Sequence, residues 1–216
     1  RERINSRVTL NVPVDEADPP PGLTFETGLG KIARGERKPP RQIVDGLILE
    51  NALTWLDGHP DSGKSTIASH VAVEHMRAGG HVIWVDWEAG KVGVVDRLIA
   101  AGAQVEHLDD EGSECLFHLA SFPPLDATPE SFAHVAATLD NYPGALVIFD
   151  SASKALAAAG LDENNPTEVT RWTTHIAIPT REAGATVIVI YHVTKGTTKD
   201  NRYSRGAGSK LADTDV

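Results

Sequence analysis

Gly58-His59-Pro60-Asp61-Ser62-Gly63-Lys64-Ser65-Thr66 fits the spacing G-x-x-x-x-G-K-[ST], the pattern of a loop that wraps phosphate groups. Its flanks suit that reading. Leu53-Thr54-Trp55-Leu56 before it has strand character, and the run from Ile67 to Arg77 after it is compatible with a helix. The glycines let successive backbone N–H groups approach phosphates, and the helix N-terminus turns its partial positive charge toward them. Lys64 is placed to reach the outer phosphates and Ser65 to ligate magnesium, so all nine residues from Gly58 to Thr66 are candidate ATP contacts. Pro60 and Asp61 are expected to be tolerated, because only the ends of such a loop demand special backbone angles.

With 216 residues, 41% of them hydrophobic, the chain is long enough for one α/β domain with a full core. A net charge of −10 argues against a surface that is basic all over, so any contact with nucleic acid must be concentrated in a patch. The single cysteine, Cys115, excludes an internal disulfide and a cysteine-based zinc cluster. No apolar run approaches the roughly twenty residues that span a bilayer, and no secretory pattern opens the chain. A soluble, cytoplasmic protein is the expectation. The absence of an initial methionine and the ending at Asp215-Val216 read as a piece of a longer protein.

Residues 1–42, with Pro13, Pro19, Pro20, Pro21, Pro39 and Pro40 among charges, read as an extended arm; residues 43–216 read as the core domain. Lys31, Arg34, Arg37, Lys38 and Arg41 face only Glu36 in one basic run, which is most simply solvated. Ile43 to Leu49 looks like one short strand leading to a turn at Glu50-Asn51. His81 to Glu88 is an apolar strand ending in acids, and residues 91–101 have helical spacing. Glu106 to Glu114 reads as a loop, and Leu116 to Leu119 as a strand. Thr128-Pro129 opens a helix; Ala145 to Asp150 is a second buried strand ending in an acid. Asp162 to Pro166 marks a loop, Thr167 to Glu182 a helix that Pro179 bends or breaks, and Ala185 to Tyr191 a strand ending at His192. This alternation implies a mostly parallel sheet covered on both faces.

An apolar strand delivering an acid at its C-terminal end is what a phosphate loop needs nearby, so Asp150 is the expected magnesium partner with Ser65. Glu88, which ends the neighbouring strand, can orient the attacking water. Asp86 is its rival on the same strand face, but Glu88 lies further toward the crevice. His192 falls beside the same crevice. Beyond it, Lys195, Lys199, Arg202, Arg205 and Lys210 stand against Asp200 alone, with Gly196, Gly206 and Gly208 among them. Such a cationic loop suits a nucleic-acid backbone or a neighbour's ATP.

These motifs, in this order, resemble the RecA-like ATPases, and within them the hexameric replicative helicases of the plasmid RepA type. Besides the phosphate loop and the Asp150 strand, the likeness rests on Glu88, Glu163-Asn164, the stretch Tyr191 to Gly196, and Ser204-Arg205-Gly206. The resemblance implies a RecA-like P-loop NTPase fold that hydrolyses ATP with Mg2+ in a hexameric ring. It implies Glu88 as catalytic base, Lys64 as a catalytic contact, His192 at the γ-phosphate and Arg205 as a finger on the adjoining subunit's nucleotide. Single-stranded DNA is the expected partner, through Lys195, Lys199 and Arg202. Ala89-Gly90 departs from a family in which another acid often follows the glutamate. Two other readings stay open: a RecA-like recombination mediator or nucleotide-switched DNA-binding regulator, and a small-molecule kinase. The kinase lacks an arginine-rich lid between Asp150 and His192.

Overall fold

The computed structural model describes residues 27–36, 41–123 and 125–192. The chain falls into two compact units, Arg1–Pro39 and Pro40–Val216. In the first, α1 (Leu29–Ala33) is a short helix with no buried residue, where proline and charge content predict extended chain.

The second unit opens with an antiparallel hairpin, β1 (Gln42–Val44) and β2 (Ile48–Leu49). The expectation of one strand here is corrected. Asp45-Gly46 is a turn dipeptide, and Gly46 takes φ 71°, a left-handed angle that glycine adopts without steric cost. The main sheet is built from β3 (Leu53–Gly58), β4 (Val82–Asp86), β5 (Phe117–Ser121), β6 (Leu146–Asp150) and β7 (Thr186–His192). All its strand pairs are parallel, in the order β3-β7-β6-β4-β5.

Alternation along each strand feeds two cores. Val82, Trp84, Leu146, Ile148, Ile188 and Ile190 point to one face, under α2 (Lys64–Arg77) and α3 (Gly90–Ala100). Ile83, Val85, Val147, Phe149, Val187 and Val189 point to the other, under α4 (Pro129–Leu139), α5 (Ala152–Ala158) and α6 (Pro166–Trp172). This two-sided burial is why the strands read as continuous apolar runs. Each fully buried aliphatic side chain contributes about 1.5–3 kcal/mol. The α4 start behaves as expected: the Thr128 hydroxyl accepts a hydrogen bond from the Ser131 N–H at 3.2 Å, with Pro129 in the first turn.

Three other expectations change. The helix α5 directly after Asp150 adds to the expected elements; Ser151, a residue type favoured at helix starts, is its N-cap but makes no side-chain cap hydrogen bond. The Thr167–Glu182 helix is α6, then a π-helical turn over Thr173–Ala177, then α7 (Ile178–Glu182). Pro179 has no N–H to donate and its ring crowds the preceding turn, which the widened turn accommodates. The Glu106–Glu114 loop is preceded by a 3-10 turn at Val105–His107 that overlaps its start.

At the end of the sheet remote from the phosphate loop, Gly80 is where a Cβ would meet the His75 ring at 2.2 Å, so that imidazole packs directly on backbone. His81 Nδ1 lies 3.2 Å from His118 Nε2, with the Tyr142 ring tilted against both imidazoles. Burial holds both His75 and His118 below the ordinary value of 6.5, against the pull of Glu50 on His75 and with the charge of His81 adding to it at His118. The folded state therefore prefers them neutral, whereas the unfolded chain takes up protons as pH falls through 6.5. Their contribution is complete above that pH and is lost on acidification. Asp150, its pKa raised by burial, acts the opposite way on acidification, so the histidine contribution is read as a difference: the stability advantage of wild type over His75→Gln should shrink as pH falls below 6.5. A melting-temperature difference that does not change with pH would contradict this.

Candidate nucleotide site

Gly58 ends β3 and Lys64 begins α2, so the phosphate loop joins the C-terminal end of a strand to a helix N-terminus. Gly63 takes φ 87° and Asp61 φ 61°. The second value corrects the expectation that only the loop ends need special angles: Asp61, mid-loop, adopts the left-handed region that Asp tolerates better than most residues. Lys64 Nζ donates to the carbonyls of Gly58 at 2.9 Å and His59 at 2.7 Å, folding across the loop mouth. Only 7% of Lys64 is exposed. Burial lowers its pKa, while Glu88, Asp150, Asp57 and Asp61 pull the other way.

Register decides what faces this loop. His192 pairs with Gly58 and Asp86 with Asp150, so the ends of β3, β7, β6 and β4 open on one crevice. β4 stops at Asp86, so Glu88 stands beyond the strand and not on its face, a correction to the expected shared face. Asp86 is fully buried and accepts hydrogen bonds from the N–H groups of Glu88, Ala89 and Gly90 at 3.3, 3.0 and 2.7 Å. It therefore builds the turn into α3. Glu88 is left free to extend into the crevice, where Oε2 lies 3.0 Å from His192 Nε2. Burial works against the Glu88 charge, but the hydrogen bond and charge of His192, helped by Ser151 and Lys154, hold its carboxyl below the usual range.

The Ser65 hydroxyl donates to Asp150 Oδ1 at 3.5 Å. Asp150 is 1% exposed, and burial raises its pKa to about 6, against the pull of Arg97 and the Ser65 hydrogen bond. Arg97 was missed in the sequence. Its Nη1 stands 3.5 Å from Asp150 Oδ2, an ion pair that falls short of a hydrogen bond and leaves that buried oxygen without one. Its guanidinium also lies 5.9 Å from the Trp84 ring centroid, and its Nε donates to Gly93 O at 3.1 Å. The signal was a lone arginine among Val94, Val95, Leu98 and Ile99 on α3. A buried carboxylate short of hydrogen bonds beside a hydroxyl is an oxygen donor set that fits a hard divalent cation such as Mg2+. Together Ser62, Lys64, Ser65, Glu88, Arg97 and His192 line a cleft of about 440 Å³.

Lys195, Lys199, Arg202, Arg205 and Lys210 lie outside the described residues, as do the stretches Val193 to Gly196 and Ser204 to Gly206. Among the described residues no group of three or more His, Cys, Asp or Glu side chains gathers as a metal cluster. No helix there is long and apolar enough to cross a membrane.

A parallel sheet with helices on both faces and a strand–phosphate loop–helix unit opening on the crevice at its strand ends defines a P-loop nucleotide-binding ATPase of RecA-like layout. The chain belongs to the AAA domain family (AAA_25), whose family model matches residues 21–198. Among curated proteins none matches it.

Proposed function

We propose that this chain hydrolyses the γ-phosphate of ATP as a RecA-like motor domain, acting as a DNA-dependent ATPase in a ring, with DNA unwinding as its work. The observation that carries the hydrolytic reading is Glu88, freed by the Asp86 cap and held 3.0 Å from His192 at the mouth of the phosphate loop. Ser65 and Asp150 would hold Mg2+, which when bound draws charge from the phosphoryl oxygens. Lys64 neutralises the outer phosphates. Glu88 takes a proton from the attacking water as the new O–P bond forms and the bond to the β–γ bridging oxygen breaks, leaving ADP. His192 orients the Glu88 carboxylate and, at the end of β7, stands where a γ-phosphate can be sensed.

The DNA and ring parts of the proposal rest on the resemblance and on the composition of the Lys195–Lys210 segment. Lys195, Lys199 and Arg202 are proposed to grip a phosphate backbone, and Arg205 to reach a neighbouring subunit's ATP. The test is ATPase rate against single-stranded DNA, with particle mass measured on the same sample. A ring whose turnover rises with DNA, falls steeply with salt and loses its stimulation in Lys199→Ala/Arg202→Ala is the expected result. A monomer with DNA-independent turnover would remove the motor reading and leave a nucleotide-switched regulator.

A further inference from the structure

The phosphate cleft continues past Thr66. That residue also lines a second cleft of about 490 Å³, walled by Leu47 at the hairpin tip, Ile67, His70 and Val71 of α2, and Ala100 and Ala101 at the end of α3. On α2, His70 follows Thr66 by one helical turn; Ala101 follows Arg97, a phosphate-cleft residue, by the same interval. The two clefts thus meet at Thr66 and succeed each other along the groove between the helices. A ribose at Thr66 would join a triphosphate in the first to its base in the second.

The chemistry of the walls changes accordingly. Leu47 and Ile67 are 41% and 42% exposed, apolar side chains left uncovered next to a charged site. A nucleobase has two apolar faces and a polar rim, and burying its faces against such walls is favourable. Beyond Thr66, His70 is the one polar side chain lining this cleft among the described residues, and no carboxylate or amide does so. We propose that this cleft is the nucleobase subsite, holding the base between the Leu47 and Ile67 walls with His70 at its rim, and that it accepts adenine and guanine to within about tenfold. Strong discrimination requires buried polar groups that the wrong base leaves unpaired, and these walls supply few. The inference rests on the proposed nucleotide reading of the phosphate loop.

Isothermal titration of the whole chain with Mg·ATP, Mg·GTP and inorganic tripolyphosphate separates the two. Wild-type protein should bind ATP and GTP within about tenfold of each other. Ile67→Asp should weaken both by about tenfold or more while tripolyphosphate binding is unchanged, and Leu47→Asp should do the same from the opposite wall. If either variant loses tripolyphosphate as well, the other decides by the same criterion. ATP affinity unchanged in both variants would overturn the base subsite while leaving the phosphate site standing. A preference for ATP above a hundredfold would overturn the tolerant rim. If wild-type protein binds neither ATP nor tripolyphosphate, the phosphate reading falls and the base subsite with it.

Discussion

Glu88→Gln protein should bind Mg·ATP with near-normal affinity and turn it over at least about a hundredfold more slowly, the loss expected when a general base is replaced by its amide. The substitution keeps the shape and a hydrogen bond to His192, which lies 3.0 Å away, but removes the group that accepts the proton of water. Single-turnover kinetics with radiolabelled ATP, alongside equilibrium binding, separates the two effects. Asp86→Asn is the matched comparison. Asp86 is spent on three backbone N–H groups, so its replacement should disturb the entry to α3 and lower thermal stability before it touches the chemical step. If Asp86→Asn slows hydrolysis with normal binding and stability while Glu88→Gln does not, the base has been assigned to the wrong acid.

Lys64→Ala should abolish measurable turnover, a loss of about three powers of ten, and weaken ATP binding as well. It differs from Glu88→Gln because the ammonium acts on phosphates in the bound state as well as the reacting one. Lys64 Nζ bonds to the carbonyls of Gly58 and His59, so its removal also takes donors from the loop. Circular dichroism and a melting curve establish that the fold survives. A folded Lys64→Ala protein that hydrolyses ATP at the wild-type rate would remove the phosphate-loop assignment altogether.

The phosphate loop, the two apolar strands ending in acids, and the Thr128 cap were legible because each depends on neighbours in sequence. Loop spacing fixes which backbone N–H groups converge, a run of buried residues fixes a strand covered twice, and a hydroxyl before proline fixes a helix start. The hairpin at Gln42–Leu49 was equally local and was still misread, since Asp45-Gly46 announces its turn. The π-helical turn before Pro179 was legible as a break but not in kind, because how a chain relieves a lost N–H depends on what packs around it.

By itself, then, the sequence determined the class of fold and the phosphate-binding chemistry, through short-range patterns that hold whatever the rest of the chain does. Tertiary structure alone decided the strand order, which inserts β7 between β3 and β6 and so sets His192 beside both Gly58 and the crevice. It also decided that Asp86 caps and Glu88 reaches, and that Arg97 stands against Asp150. The reason is physical: β4, β6 and β7 are all continuous apolar runs, interchangeable by pattern. Their order is set by the summed packing of helices on two faces, a non-local quantity that no window of sequence contains.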